Sequence, residues 1–353
     1  MRRLISLTVA FAVALAASVF IAGAASAATV TCMPTGFFRD GINMTAAQIG
    51  GNVTGPLNAA DTIDAIPCNI GVYYDANSPS GSVSSGADIS GASYFGVVVR
   101  GTAVNVTNAS VHDIGDVPLS GSQHGTAIYY ATVDNGSATA QAACTTGSTT
   151  GTISGNTVDN YQKSGIVANC LGTNVKITNN TVNGEGPVLY IAQNGIQVGY
   201  GAMATVTGNT VTGNAYTGPN GASSAGMLVV GGACFGLPTT TGLTITKNTL
   251  TGNDVGVWLF NADSSCNAVT GKTNNVVKFN TISNGAVTNT TGYSATCGYQ
   301  AGVSDVGHKD QIVNNTIFGA GYTPISGDCL GTPPAFVRSV DADSSARGVG
   351  SNK

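Results

Sequence analysis

The chain has 353 residues, of which 49 are Gly, and only 8% are charged against the roughly 25% usual in globular domains. Its formal net charge is -4, and its one Glu is Glu185, so the Lys and Glu needed to solvate a helical bundle are missing and a basic nucleic-acid binder is excluded. Disorder is excluded too, because 42% of the residues are hydrophobic and the net charge is small.

Met1-Arg2-Arg3 opens the chain, followed by an apolar run from Leu4 to Ala22 and then Ala25-Ser26-Ala27. That order of basic, apolar and small residues is the pattern of a secretory signal peptide cleaved after Ala27. Cleavage leaves 326 residues with a charge of -6, and no membrane association is expected after it. Residues 28–67, with MTAAQIGG at 44–51, are expected to cap a repeat domain spanning 68–332, and 333–353 reads as a flexible tail.

The eight cysteines are Cys32, Cys68, Cys144, Cys170, Cys234, Cys266, Cys297 and Cys329. An even number in an exported chain, without a C-x-x-C pair, points to disulfides. Neighbours taken in order lie 36, 26, 32 and 32 residues apart, so sequential pairing would clip one repeat to the next; other connectivities stay open.

Between residues 152 and 317 one phrase recurs: TISGNTV, ITNNTV, VTGNTV, ITKNTL, VKFNTI and IVNNTI, with VTNASV at 106–111 a degenerate copy. It aligns Asn156, Asn180, Asn209, Asn248, Asn280 and Asn315. A second phrase alternates with it: FGVVV at Gly96, HGTAI at Gly125, SGIVA at Gly165, NGIQV at Gly195, AGMLV at Gly226, VGVWL at Gly256 and AGVSD at Gly302. The glycines advance by 29, 40, 30, 31, 30 and 46 residues, so one unit is about 30 residues and two units carry insertions. Each arm has four to six apolar-rich residues bounded by Gly and Asn, which reads as short strands, two or three per unit. A propeller blade needs about 40 to 45 residues and four strands, so stacked parallel coils fit better. Coils stacked about 4.8 Å apart would place the six asparagines in an internal ladder, amide bonding to amide. Asn179 and Asn314 also match N-x-T glycan acceptors, with which burial in the ladder would compete.

ITNNTV followed by NGIQV resembles the repeats of right-handed parallel β-helix proteins, the pectate-lyase-like superfamily, over roughly residues 70 to 330. The resemblance implies an all-β, single-stranded right-handed parallel β-helix of about seven coils with an N-terminal cap. It leaves function open, because that superfamily holds lyases, hydrolases, epimerases, adhesins and phage spikes. Its polygalacturonases carry NTD, DD, GHG and RIK motifs, whereas this chain has neither an adjacent Asp pair nor RIK. Its pectate lyases use Arg or Lys as base beside an acidic calcium cluster, and only Arg100 and Lys163 fit the first part.

Alignment on the glycine column expects one outward strip carrying Arg100, Gln123, His124, Tyr129, Lys163, Asn169, Gln193 and Gln197, with Gln162 beside Lys163 and Trp258 beside Phe260 at one end. Amides for hydroxyls, aromatic faces for sugar rings and a cation for a uronate would suit an extracellular polysaccharide. The plain alternative is a solvated solenoid surface. For catalysis the candidates are Lys163, His124 and Arg100, together with His112 and Asp113 as a base and its orienting carboxylate; the alternative is a capped turn with exposed histidines. Asp305, His308, Lys309 and Asp310 read as a solvated loop. A calcium site needs converging oxygen ligands and the Asp residues are dispersed, so no cofactor is evident and Ca2+ has no support. The expected function is therefore a secreted polysaccharide-interacting protein, either a lyase-like or hydrolase-like enzyme or a noncatalytic, disulfide-stabilised scaffold or adhesin. Nothing in the sequence specifies an oligomeric state.

Overall fold

The computed structural model describes residues 30–50, 61–77, 81–132, 147–289, 300–322 and 339–341. The expected signal segment, residues 133–146 and 290–299 and most of the expected tail lie outside the described residues.

The strands stack into three sheets of 11, 8 and 9 strands, here called A, B and C. The chain passes through B, then C, then A in each turn, so every unit has three strands. Sheet B has eight members among the described residues, which gives eight complete turns where the two repeated phrases imply about seven. The eighth is closed by Ser339–Asp341, which pairs in parallel with Ala301–Asp305 inside the segment expected as tail; three residues in a Ser- and Asp-rich stretch give no periodic signal.

Apolar residues stack on apolar residues in register. In sheet B, Val83, Val106, Ile153, Ile177, Val206, Ile245, Val277 and Ile312 form one buried column. In sheet C the column is Ile89, Val111, Val158, Val182, Val211, Leu250, Ile282 and Ile317, and in sheet A it is Val97, Ile128, Ile166, Ile196, Met227, Val257 and Val303. These columns meet in one continuous apolar core, the main source of stability in a chain so poor in charge. The glycine column has a steric cause. A Cβ on Gly165 would come within 2.5 Å of Val182 Cγ1 and 2.6 Å of the Gly195 carbonyl oxygen, so sheet C can approach sheet A only where a side chain is absent.

Between sheets B and C a single left-handed residue turns the chain: Asn108, Gly155, Asn179, Gly208, Lys247, Phe279 and Asn314. The residue after each, from Asn156 onward, is the ladder asparagine. In the ladder each Oδ1 accepts both the backbone N–H and the side-chain Nδ2 of the asparagine one coil earlier, as Asn209 Oδ1 does from Asn180 at 2.9 Å each. The pattern repeats from Asn156 to Asn315. A second ladder runs through Asn214 and Asn253, with Asn214 Nδ2 donating to Asn253 Oδ1 at 3.0 Å. Sequence reading missed it, although TVTGN and TLTGN repeat the same spacing.

The disulfides Cys32–Cys68 and Cys234–Cys266 follow the sequential order, and Cys170 is also disulfide-bonded. Cys144, Cys297 and Cys329 lie outside the described residues. At the first end of the solenoid, Met33–Arg39 and Ile42–Ile49 form an antiparallel hairpin around Asp40-Gly41, both with positive φ, and the second strand pairs in parallel with Ile70–Tyr74. The first strand lays Phe37 over the outer face of sheet A, with its ring 6.4 Å from Tyr73 and 6.0 Å from Phe95.

Candidate functional site

Where the hairpin ends, the outer face of sheet A opens into a cleft of about 390 Å³. It crosses five consecutive strands, Thr126–Ala131, Ser164–Asn169, Asn194–Gly199, Ala225–Gly231 and Val255–Asn261, a length of about 19 Å at the ordinary strand spacing. In-register pairing turns the outward position of each strand into a row along the cleft: Tyr129, Val167, Gln197, Leu228 and Trp258.

At the hairpin end, the Arg39 guanidinium lies 5.1 Å from the Phe95 ring and 5.5 Å from the Tyr129 ring, with Asp40 at 3.7 Å. Lys163 lines the same cleft, and its Nζ donates to the Ala192 carbonyl oxygen at 2.8 Å. Burial pushes the Lys163 ammonium down to about 8. Amides line the cleft as well: Gln197 Nε2 donates to Asn169 Oδ1 at 3.1 Å, and Asn194 and Gln123 form part of the wall. The far end is aromatic. Trp258 stacks on Phe260 at 4.9 Å, Phe235 meets Phe260 edge-on at 5.4 Å, and Tyr200 tilts against Phe235 at 6.3 Å. Phe235 is held there by its neighbour Cys234, bridged to Cys266. Among the described residues lining this cleft none is acidic, while two are cationic.

The cleft thus gathers Lys163, Gln123, Tyr129, Asn169, Gln197 and Trp258 from the expected strip. Other members are placed elsewhere. Arg100 is buried at the end of its strand, its guanidinium 3.9 Å from the Phe37 ring centroid and its Nη1 donating to Tyr73 Oη at 3.1 Å, because the hairpin covers the first coils of sheet A. Gln162 and Gln193 do not face outward. Gln162 Oε1 accepts the N–H groups of Asp116 and Ser120 at 3.0 and 2.8 Å, and Gln193 accepts Glu185 N–H at 3.0 Å while donating to the Tyr161 carbonyl at 2.6 Å. Both stand at the corner entering sheet A, where the side chain turns into the adjoining loop and satisfies its backbone.

His124 stacks on Tyr94 at 4.0 Å and bonds Asp116 through Nε2 at 2.8 Å. Burial pushes the Asp116 carboxyl upward, but hydrogen bonds from Ser120 and His124 outweigh it and hold it below its ordinary value. His112 does pair with Asp113, at 2.5 Å, and also with Asp88 at 2.9 Å, but on sheet C, away from the cleft. Burial lowers the His112 pKa, and the two carboxylates overcome this and raise it. Asp305 and Asp310 are buried rather than solvated. Asp310 Oδ1 accepts Thr273 Oγ1–H and Asn275 N–H, each at 2.6 Å, and burial raises its pKa.

The HGTAI unit is shifted by two residues from the expected alignment: Thr126 pairs with Ser164, so Ala127 takes the glycine slot and Tyr129 the outward one. Sequence reading also missed Arg39, Tyr200 and Phe235. Arg39 had a signal, being a rare cation next to Phe37-Phe38, but only the folded-back hairpin brings it to sheet A.

Residues 68–235 match the family described as "Right handed beta helix region". Comparison with curated proteins and with solved structures found no match.

Proposed function

We propose, for this right-handed parallel β-helix repeat protein, that the cleft on sheet A binds an extended anionic polysaccharide outside the cell. The observation that carries the reading is the lining itself: two cations, a row of amides and an aromatic end, with no lining carboxylate among the described residues. Arg39 and Lys163 would take a uronate carboxylate, the amides sugar hydroxyls, and the Trp258–Phe260 pair the apolar face of a ring. Cys32–Cys68, Cys234–Cys266 and the signal-like Met1–Ala27 segment support export.

Titration of the protein with polygalacturonate or alginate, against a neutral dextran, tests this. Binding is expected for the acidic polymers alone, weakened about tenfold by Lys163→Ala and by Arg39→Ala. Because the Lys163 charge is lost above about 8, affinity should fall as the pH rises through that value. Equal binding of dextran, or a flat profile from pH 7 to about 9, would refute the assignment.

A lyase reading is favoured by one feature: an amine held near 8 is partly neutral at physiological pH. Neutral Lys163 Nζ would take the proton from the carbon bearing the uronate carboxyl. The electron pair would form the ring double bond, the adjacent C–O bond to the next sugar would break, and water would protonate the leaving oxygen. New ultraviolet-absorbing chain ends, lost in Lys163→Ala, would establish it; binding without such ends leaves a noncatalytic glycan-binding scaffold.

A further inference from the structure

A second cavity, of about 440 Å³, lies at the corners between sheets C and A in the first coils, apart from the cleft. Four successive turns build it: Asp64 and Ile66; Ser90 and Gly91; Asp113 with residues 116 to 119; and Asn160. Its apolar part is Ile66, Val117, Pro118 and Leu119, with Ile66 59% and Val117 92% exposed. Exposed branched side chains around one concavity of this size form the lining of a small-ligand site rather than a scatter of surface residues.

The polar part has one sign. Asp64, Asp113 and Asp116 line the cavity, and among the described residues none that lines it is basic. These carboxylates are held in place from within the protein. Asn160 Nδ2 and His112 Nδ1 bond Asp113, and Ser120 and His124 bond Asp116. Among the described residues Asp64 Oδ1 accepts the Ile66 N–H alone, at 3.2 Å, in its own turn, and a carboxylate oxygen has room for a further donor. Gly91 matters for this geometry, since at φ 77° a Cβ there would come 2.6 Å from Asp64 Oδ1 and 2.8 Å from Ile66 Cγ1. A side chain at that position would press apart the carboxylate and the apolar wall beside it.

We infer that this cavity is a binding site for a small organic ammonium ion, its apolar body against Ile66, Val117, Pro118 and Leu119 and its N–H groups on Asp64. The site is independent of the cation-lined cleft on sheet A and selects a ligand of the opposite charge. An ammonium on a carboxylate makes charge-assisted hydrogen bonds, the apolar side chains beside Asp64 add contact for its organic body, and among the described residues no lining cation competes.

Calorimetric titration of the full chain with phenethylammonium, and separately with 2-phenylethanol, tests this. Saturable binding of the amine is expected, at least about tenfold tighter than that of the neutral alcohol. Asp64→Asn should weaken it at least about fivefold and Val117→Ser about threefold. Both side chains are exposed, so the variants keep the fold, as circular dichroism will verify. Lys163→Ala, in the other cleft, should leave the amine titration unchanged. No saturation up to about 10 mM amine, equal affinity for the alcohol, or an unchanged affinity in Asp64→Asn would each overturn the inference.

Discussion

Replacement of Asn209 by Ala probes the ladder at its centre. The Asn209 side chain donates to the Ile177 carbonyl at 2.9 Å and to Asn248 Oδ1 at 3.0 Å, and its Oδ1 accepts the Asn180 N–H and Nδ2, each at 2.9 Å. Asn248 Oδ1 keeps the Asn209 backbone N–H, so its loss is partial. Asn180, 1% exposed, is left with a backbone N–H and one amide hydrogen facing a void. A buried donor without a partner costs about 1 to 3 kcal/mol and a lost bond about 1, so Asn209→Ala should destabilise by roughly 3 to 5 kcal/mol. Asn179→Ala, at an exposed turn residue with φ 55°, tests the neighbourhood without the ladder and should cost about 1 kcal/mol, because Ala tolerates a left-handed backbone less well than Asn. Denaturant unfolding followed by far-ultraviolet circular dichroism gives the totals, and hydrogen exchange at the Asn180 amide gives the local effect. If Asn209→Ala lost less than about 1 kcal/mol and Asn180 kept its protection, the ladder would not be a source of stability.

Asp254 is fully buried and accepts the N–H groups of Tyr216 and Ser224 at 2.9 and 3.0 Å, yet burial raises its pKa from 3.8 to about 6. The folded state therefore holds its proton more tightly than the unfolded chain, and the contribution to stability is lost as pH rises from about 4 to about 6, by an amount on the order of 3 kcal/mol. Asp254→Asn keeps an acceptor oxygen and should remove that component, seen as the difference between the two stability profiles. Removing Cys234–Cys266 with paired Ser substitutions opens a link of 32 residues and should cost about 3 to 4 kcal/mol in thermal or denaturant unfolding. Because Phe235 is next to Cys234, the same variant should also lose affinity at the aromatic end of the cleft, in the polyuronate titration. Phe279 has φ 57° in the turn column otherwise held mainly by Asn and Gly. Phe279→Asn should stabilise by about 1 kcal/mol, less a weak contact with Lys278, measured as a higher unfolding midpoint.

The fold was legible because stacking makes each physical requirement repeat. A Val or Ile facing the core, an Asn in the ladder and a Gly under sheet C recur every 30 residues or so, and one appearance reinforces the next. The second ladder escaped for a weaker version of the same reason, having fewer copies. The unit at Gly125 was misaligned because Ala127 fits the space that elsewhere demands Gly, while Gly125 has its own requirement, a φ of 86° at the preceding corner. A repeated letter marked two different constraints.

The cleft was less legible, and Lys163 and Gln193 show why. Both stand two residues before a column glycine, at the corner entering sheet A, and alternation assigns both to the outer face. Gln193 carries a donor and an acceptor, so it can satisfy the backbone of the loop from both sides, and the turn draws it in. Lys163 has donors only. Of its three donors one caps the Ala192 carbonyl, and its charge needs a partner that the described lining of the cleft, which has no carboxylate, does not supply. The same column therefore holds a structural brace in one coil and the best candidate for ligand contact in the one before it. Asp254, in that column three coils after Lys163, goes the way of Gln193: an acceptor surrounded by loop N–H groups, and among them Ser224, whose neighbour Ser223 lines the cleft. What separates scaffold from site at these corners is whether the side chain can match the hydrogen-bonding groups of its own loop, a property of the loop's backbone and not of the repeat.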